Sequence, residues 1–149
     1  MNAYQAHASE CASGVELTIA LYDGIHRFMR HAIDAVERND VDARRAAVKR
    51  AMDIVIYLQA TLRTDIGGKP AEVLAEFYSA MFALMLQGSQ ASSKEKFLRV
   101  IACVRNVRDA WQQVAKLPGT AQIAAPLPGL PTQRAAGEPI APAGSNWTA

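Results

Sequence analysis

PAEVLAEFYSAMFALMLQG, residues 70–88, is the stretch on which the fold turns. Val73, Leu74, Phe77, Tyr78, Met81, Phe82, Leu84, Met85 and Leu86 recur at the three- and four-residue intervals of a helix. From Phe77 to Leu86 the pattern is apolar nearly all round, and such a helix is buried on more than one side. It is too short to cross a membrane. The uncharged run Phe77–Ser93 is broken by Ser79, Gln87, Gly88, Ser89, Gln90 and Ser92, leaving far fewer than the about 20 apolar residues a span needs. Pro70 suits the first turn, where no backbone N–H is needed, and the helix is expected to stop near Gly88.

Neighbouring helices must supply that burial, and the flanking sequence provides them. Upstream, Val41, Val48, Met52, Val55, Leu58 (or Gln59), Leu62 and Ile66 line one side of a helix that Gly67-Gly68 is expected to end, glycine accepting the left-handed cap conformation. Before it, Ser13 and Glu16 form a capping box that opens a first helix. Leu17, Leu21, Ile25, Phe28, Ala32 and Val36 make its main stripe, and Tyr22, Met29 and Ile33 an adjacent one. That helix ends near Arg38, and Asn39-Asp40 caps the next. Downstream, Ser92 with Glu95 makes a second capping box, followed by Phe97, Val100, Ile101, Val104, Val107, Trp111 and Val114. No alternating strand pattern and no Asn-Gly hairpin occurs. Links of about three to five residues set sequential helices antiparallel. The expected fold class is all-α: an antiparallel up-down-up-down four-helix bundle.

Composition agrees. The chain has 149 residues, about one domain, with 50% hydrophobic and 20% charged residues. Its net charge is +2, and removing Arg134 and Glu138 leaves residues 1–117 at 15 basic and 13 acidic, again +2. A dedicated nucleic-acid binder shows a clustered basic face instead. Cys11 and Cys103 are too few for a disulfide framework and are expected to be buried and reduced. The opening Met1–His7 has neither a basic n-region nor an apolar h-region, which favours a cytosolic protein with no membrane insertion. Residues 118–149 hold six of the seven prolines, four of the nine glycines and only two charges. They are expected to form a disordered Pro/Ala/Gly-rich tail, since they offer too little apolar surface to offset ordering. Docking through Ile123, Leu127, Leu130, Ile140 and Trp147 is the alternative to a passive tail. The organisation expected is an N-terminal segment 1–12 (a short helix or cap), a bundle domain 13–117 and the tail 118–149.

Catalytic constellations fail on inspection. A di-iron bundle needs four inward acids and two Glu-x-x-His pairs. Asp23-x-x-His26 supplies one acid-and-histidine spacing, His31 points elsewhere, and the other three helices have no histidine. A histidine phosphotransfer domain needs an exposed histidine beside lysine and glycine, and neither His26 nor His31 has that neighbourhood. Gly67-Gly68-Lys69 lacks the earlier glycine of a phosphate loop, which is Arg63 here, and has Pro70 in place of Ser/Thr. No enzyme, metal or cofactor is implied. What remains is apolar excess on helices 1 and 3, read either as a thick core or homodimer face, or as a groove for an amphipathic partner helix, to which Met29, Met81 and Met85 would lend adaptability.

Several motifs, in order and spacing, resemble the FliS family of flagellar secretion chaperones. Ala3-Tyr4-Gln5 is similar to that family's opening Ala-Tyr segment. Ser13-Gly14-Val15-Glu16-Leu17 followed by Leu21-Tyr22-Asp23-Gly24 resembles its Ser-Pro-x-x-Leu…Leu-Tyr/Phe-Asp-Gly signature, with Gly14 in place of proline. Asp65-Ile66-Gly67-Gly68 resembles its Gly-Gly turn, Leu74…Phe77-Tyr78…Met81 its Leu…Leu-Tyr-x-x-Met run, and Ala110-Trp111 its late Ala-Trp pair. Ser79-Ala80 replace a usual Asp-Tyr and Ala83-Leu84 a pair often basic, so helix 3 is greasier here. The likeness spans about residues 2–117 and excludes the tail.

The resemblance implies a cytosolic chaperone. It would bind the disordered C-terminal region of flagellin in apolar grooves, prevent premature polymerisation and keep it competent for type III export, in contact with the export gate and without ATP or metal. Ordering such a client costs roughly 2–5 kcal/mol, which keeps the complex releasable. On this reading the partner-binding residues are Tyr4, in a leading segment that covers the empty groove, Tyr22, Ile25 and Met29 on helix 1, and Tyr78, Met81 and Met85 on helix 3. Asp23 and Gly24 serve helix packing, and Trp111 serves the core. The alternatives are a self-associating helical interaction protein and a histidine phosphotransfer domain.

Overall fold

A computed structural model describes residues 3–116, with side chains from Gly14 onward except at 64–66 and 114. It contains α1 (Ala3–Glu37), α2 (Val41–Thr61), α3 (Thr64–Ala91) and α4 (Lys94–Ala115), and no strand among the described residues. The expectations for the tail over 118–149 lie outside them.

The first turn between helices is built by local backbone chemistry. Asn39 adopts φ 57°, so the N–H groups of Asn39 and Asp40 return to the carbonyls of Val36 and Ala35 at 3.1 and 2.8 Å. Asp40 then caps α2, its carboxylate accepting from the Ala43 N–H at 3.0 Å. Between α3 and α4 the same device recurs one residue later than the sequence suggests. Ser92, at φ 51°, closes α3 in the left-handed conformation, and Ser93 caps α4 by accepting from the Lys96 N–H at 3.3 Å. Glu95 accepts the Ser93 hydroxyl at 3.3 Å, so the expected capping box on Ser92 gives way to a simple cap on Ser93.

Two further boundaries move. α1 begins at Ala3, and the expected cap Ser13 lies inside it, because Ala3–Ala12 offers helix formers with no Gly or Pro to interrupt them. α2 stops at Thr61, with Leu62 extended, before Gly67-Gly68 is reached. There the Thr61 hydroxyl donates to the carbonyls of Tyr57 and Leu58 at 2.9 and 3.3 Å, a side-chain bond competing with the helix ladder. The glycines instead mark a break within α3: Gly68 sits at φ 62°, ψ −146°, a region open to glycine, and Pro70 follows in the first turn of the long run. α3 continues through Gly88 to Ala91.

Cross-helix pairs run in opposite senses along α1 and α4, α1 and α2, and α2 and α3. Asp23 meets Arg108 and Glu37 meets Lys94 between α1 and α4. Ile54 of α2 lies against Gly24 of α1, and Arg50 over Phe28. Arg44 reaches Ser92 while Gln59 reaches Ser79, ordering α2 against α3. Each helix thus has two neighbours in the cyclic order α1-α2-α3-α4. The core they enclose is Tyr22, Ile25 and Met29 on α1, Val55 and Leu58 on α2, Tyr78 and Met85 on α3, and Phe97, Val100 and Val104 on α4. Burial of these side chains supplies the main driving force for the fold.

Candidate binding surface

The surface left by this packing is uneven, and α3 is the reason. α1 packs closely against both of its neighbours, whereas α3 sits along thinner seams. Two ridges of apolar side chains therefore stay partly open on either side of α3.

The seam with α2 is located by the Gln59 amide, which donates to the Ser79 hydroxyl at 3.1 Å. Three and seven residues back along α2 are Ile56 and Met52, and three and seven forward along α3 are Phe82 and Leu86. Residues so spaced share a helix face. Ile56 is 51% and Leu86 41% exposed, while Met52 and Phe82 are half-buried against the core.

The seam with α4 is located by Gly88, where an added Cβ would meet the Phe97 ring at 2.8 Å and the Lys96 Cβ at 3.2 Å. On α3, Leu84 and Phe77 lie four and eleven residues before Gly88. On α4, Cys103 and Val107 lie seven and eleven after Lys96. All four are half-buried, and Val73, one turn before Phe77, is 54% exposed. Among the described residues no hydrogen bond or ion pair crosses between α3 and α4. Cys103 is a free thiol at this seam, half-buried where the sequence suggested full burial; the Cys11 side chain lies outside the described residues.

The residues singled out from the sequence fall one layer deeper. Tyr22, Ile25 and Met29 are at most 1% exposed, and Tyr78, Met81 and Met85 at most 4%. Helical periodicity finds the side of a helix that is buried, and that is where these six are. The Tyr4 backbone belongs to the first turn of α1, continuous with the rest of that helix; its side chain lies outside the described residues.

Tyr22 and Tyr78 join their hydroxyls at 2.7 Å in the core, and the Trp111 indole N–H donates to Tyr22 Oη at 3.1 Å. One hydroxyl pair thereby ties α1 to both α3 and α4. Burial pushes both phenols above their ordinary value of 10.0; for Tyr78 the adjacent Tyr22 adds to the rise, and for Tyr22 the two hydrogen bonds partly oppose it. Trp111 is half-buried, bridging the main core and the small cluster around Val15. Asp23 receives Arg108 Nε at 2.6 Å and Nη2 at 3.3 Å, and this bonding holds the guanidinium pKa above its usual value. Gly24 is where α2 comes nearest, an added Cβ falling 3.1 Å from Ile54 Cδ1.

The surface side chains missed by sequence reasoning share one signal. Ile56, Leu86 and Leu98 each follow a core residue (Val55, Met85, Phe97), and Val73 precedes the half-buried Leu74. Adjacent residues differ by about 100° round a helix, so an apolar residue beside one on the main stripe is carried out toward the flank.

The bundle carries apolar side chains exposed on its flanks, and no group of three or more His, Cys, Asp or Glu is placed for a metal among the described residues. The family model described as flagellar protein FliS matches residues 1–118. The flagellar secretion chaperone FliS of Campylobacter jejuni is 30% identical over 113 residues, covering 76% of this chain and 88% of that protein. The proteins of the same name from Bacillus subtilis and Salmonella typhimurium are 29% and 30% identical, covering 74% and 70% of this chain and 82% and 78% of their own length. The chain belongs to the FliS family, a family of flagellar secretion chaperones and not of enzymes. No helix among the described residues is long and apolar enough to cross a membrane.

Proposed function

We propose that this chaperone binds the C-terminal region of flagellin in the bacterial cytoplasm and lays it along the two flanks of α3. The observation that carries this reading is the pair of apolar seams: Ile56 and Leu86 open on one side, Val73 with half-buried Phe77 on the other. An amphipathic segment presents apolar anchors at helical spacing, and a groove between two helices receives them as a third helix would. Tyr78, Met81 and Met85 form the packed layer beneath these flanks and hold them in register, while Tyr22, Ile25 and Met29 fix α1 beneath the rest of the bundle. Direct contact of these six with a client requires the helices packed over them to move.

Covering the client's apolar stripe blocks the contacts through which subunits polymerise, and the ordering cost of about 2–5 kcal/mol leaves the complex open to release at the export gate. Calorimetric titration with a peptide of the last forty or so flagellin residues tests the proposal. One-to-one binding with a strongly negative heat-capacity change is expected. Absence of heat at several temperatures, with the chain monodisperse by light scattering, rejects it; a stable dimer covering the same flanks rejects it in favour of self-association.

A further inference from the structure

We propose that the α3–α4 seam is occupied, in the client-free protein, by the chain's own residues 117–133. Three features of the seam and the segment meet. The seam, from Val73 through Phe77 and Leu84 to Cys103 and Val107, is lined by apolar side chains and crossed by no polar contact among the described residues, with Lys96 at the end marked by Gly88. The segment that follows α4 is also uncharged: none of the 17 residues 117–133 is acidic or basic, and Leu117, Ile123, Leu127 and Leu130 space its apolar side chains. Pro118, Pro126, Pro128 and Pro131 remove four backbone N–H donors, so an extended chain lies on an apolar wall with fewer polar groups to strand.

Geometry delivers the segment to the seam. Gly88 faces Phe97, so fifteen residues back on α3 and fifteen forward on α4 place Val73 level with Gln112, in the last turns of α4. The chain leaves α4 beside Val73, at 54% the most exposed large apolar side chain among the described residues. From Val73 to Leu84 the seam is about 17 Å long at about 1.5 Å per residue. The 33 residues beyond Lys116 reach about 100 Å in a polyproline II conformation, so span is no obstacle. Alone, the segment has no core to fold on; the seam supplies one, and the tether raises its effective concentration to the order of 1 mM. The family match ends at residue 118, so all but the first two residues of the segment lie beyond it.

Cys103 reports on the seam without any client, so the result stands or falls separately from flagellin binding. In the full chain carrying Cys11→Ser, Cys103 is the one remaining thiol. Iodoacetamide should modify it roughly tenfold faster once Ile123→Ser, Leu127→Ser and Leu130→Ser are introduced together, the fold-change expected if millimolar local segment competes at an affinity near 100 μM. Those positions lie outside the bundle, so helicity should not change, while the melting temperature should fall by a few degrees as the stabilisation from the docked segment is lost. Val73→Ser, made from the other side of the contact, should also speed modification. Equal rates in all three chains overturn the proposal. Protection that rises with protein concentration overturns it too, because the occupant would then come from a second copy.

Discussion

α1 and α3 are diagonal partners in one bundle and are held by different means. α1 carries side chains that reach across: Asp23 and Glu37 pair with α4, Tyr22 links to both α3 and Trp111, and Gly24 lets α2 approach closely. α3 carries Gln59–Ser79 on one flank and no polar crossing to α4 among the described residues on the other. The difference teaches that a helix can be rich in apolar residues yet seated more loosely, because its excess faces outward along both seams rather than into one core. On the proposed reading, α1 contributes more of the stability and α3 the partner contacts.

The largest expected effect tests that division in the core itself. Met29 on α1 and Met85 on α3 are both fully buried, so the transfer loss on truncation to alanine is the same. What differs is the ability of the surroundings to collapse into the cavity. Met29→Ala should cost about 4 kcal/mol and Met85→Ala about 2 kcal/mol by urea unfolding, within the range that cavity relaxation spans. Equal losses would break the comparison.

Next is the hydroxyl pair. Tyr22→Phe leaves the Trp111 N–H and the Tyr78 hydroxyl without their partner and should cost about 2 kcal/mol; Tyr78→Phe leaves Trp111 satisfied and should cost about 1 kcal/mol. The pair also sets an alkaline limit. Both phenols have folded pKa values above 10.0, so the folded state keeps its protons where the unfolded chain releases them. Their contribution is fully present below pH 10 and is progressively lost as pH rises above it, since the unfolded chain then releases protons that the folded state retains. Chemical denaturation between pH 9 and 11 should show the fall in the native chain and a shallower one in the Tyr22→Phe/Tyr78→Phe double variant.

On α3's flanks the expectation reverses. Ile56→Ser and Leu86→Ser remove side chains already about half exposed, so melting should hardly move. Binding of the flagellin peptide should weaken by about 1 kcal/mol each, roughly fivefold, as the buried methyl groups are lost. A loss of stability without loss of binding would return these flanks to the core.

The sequence revealed the helices well and their margins poorly, for one physical reason. Apolar period is a property of a whole helix, and four strong stripes leave little choice but a bundle. Ends are decided by a few backbone hydrogen bonds. Ser92 and Ser93 are equally good caps on paper, and only the left-handed backbone at Ser92 assigns the role to Ser93. Likewise nothing in Leu62 announces that α2 stops there before the Gly67-Gly68 pair. The binding surface suffered from the converse problem. Tyr22, Met29, Tyr78 and Met85 attract notice because they obey the period, and obeying it buries them. Ile56 falls outside the stripe of α2, and Leu86 lies at the margin of the broad apolar face of α3, which is what leaves both side chains exposed.

The smallest expected effect concerns the α1–α4 clasp, and it separates two accounts of why α1 is so firmly held. The Asp23–Arg108 geometry is good, with two hydrogen bonds at 2.6 and 3.3 Å. Yet the two side chains are 46% and 27% exposed, so water and salt screen the attraction. Asp23→Asn keeps the shape and removes the charge. It should cost about 0.5 kcal/mol at low salt and less at 1 M, where the Debye length falls to about 3 Å. A loss above about 2 kcal/mol, or one insensitive to salt, would mean that the ion pair rather than the apolar packing holds α1 against α4. The small value leaves Tyr22, Ile25 and Met29, beneath the clasp, as the groups that keep α1 in place.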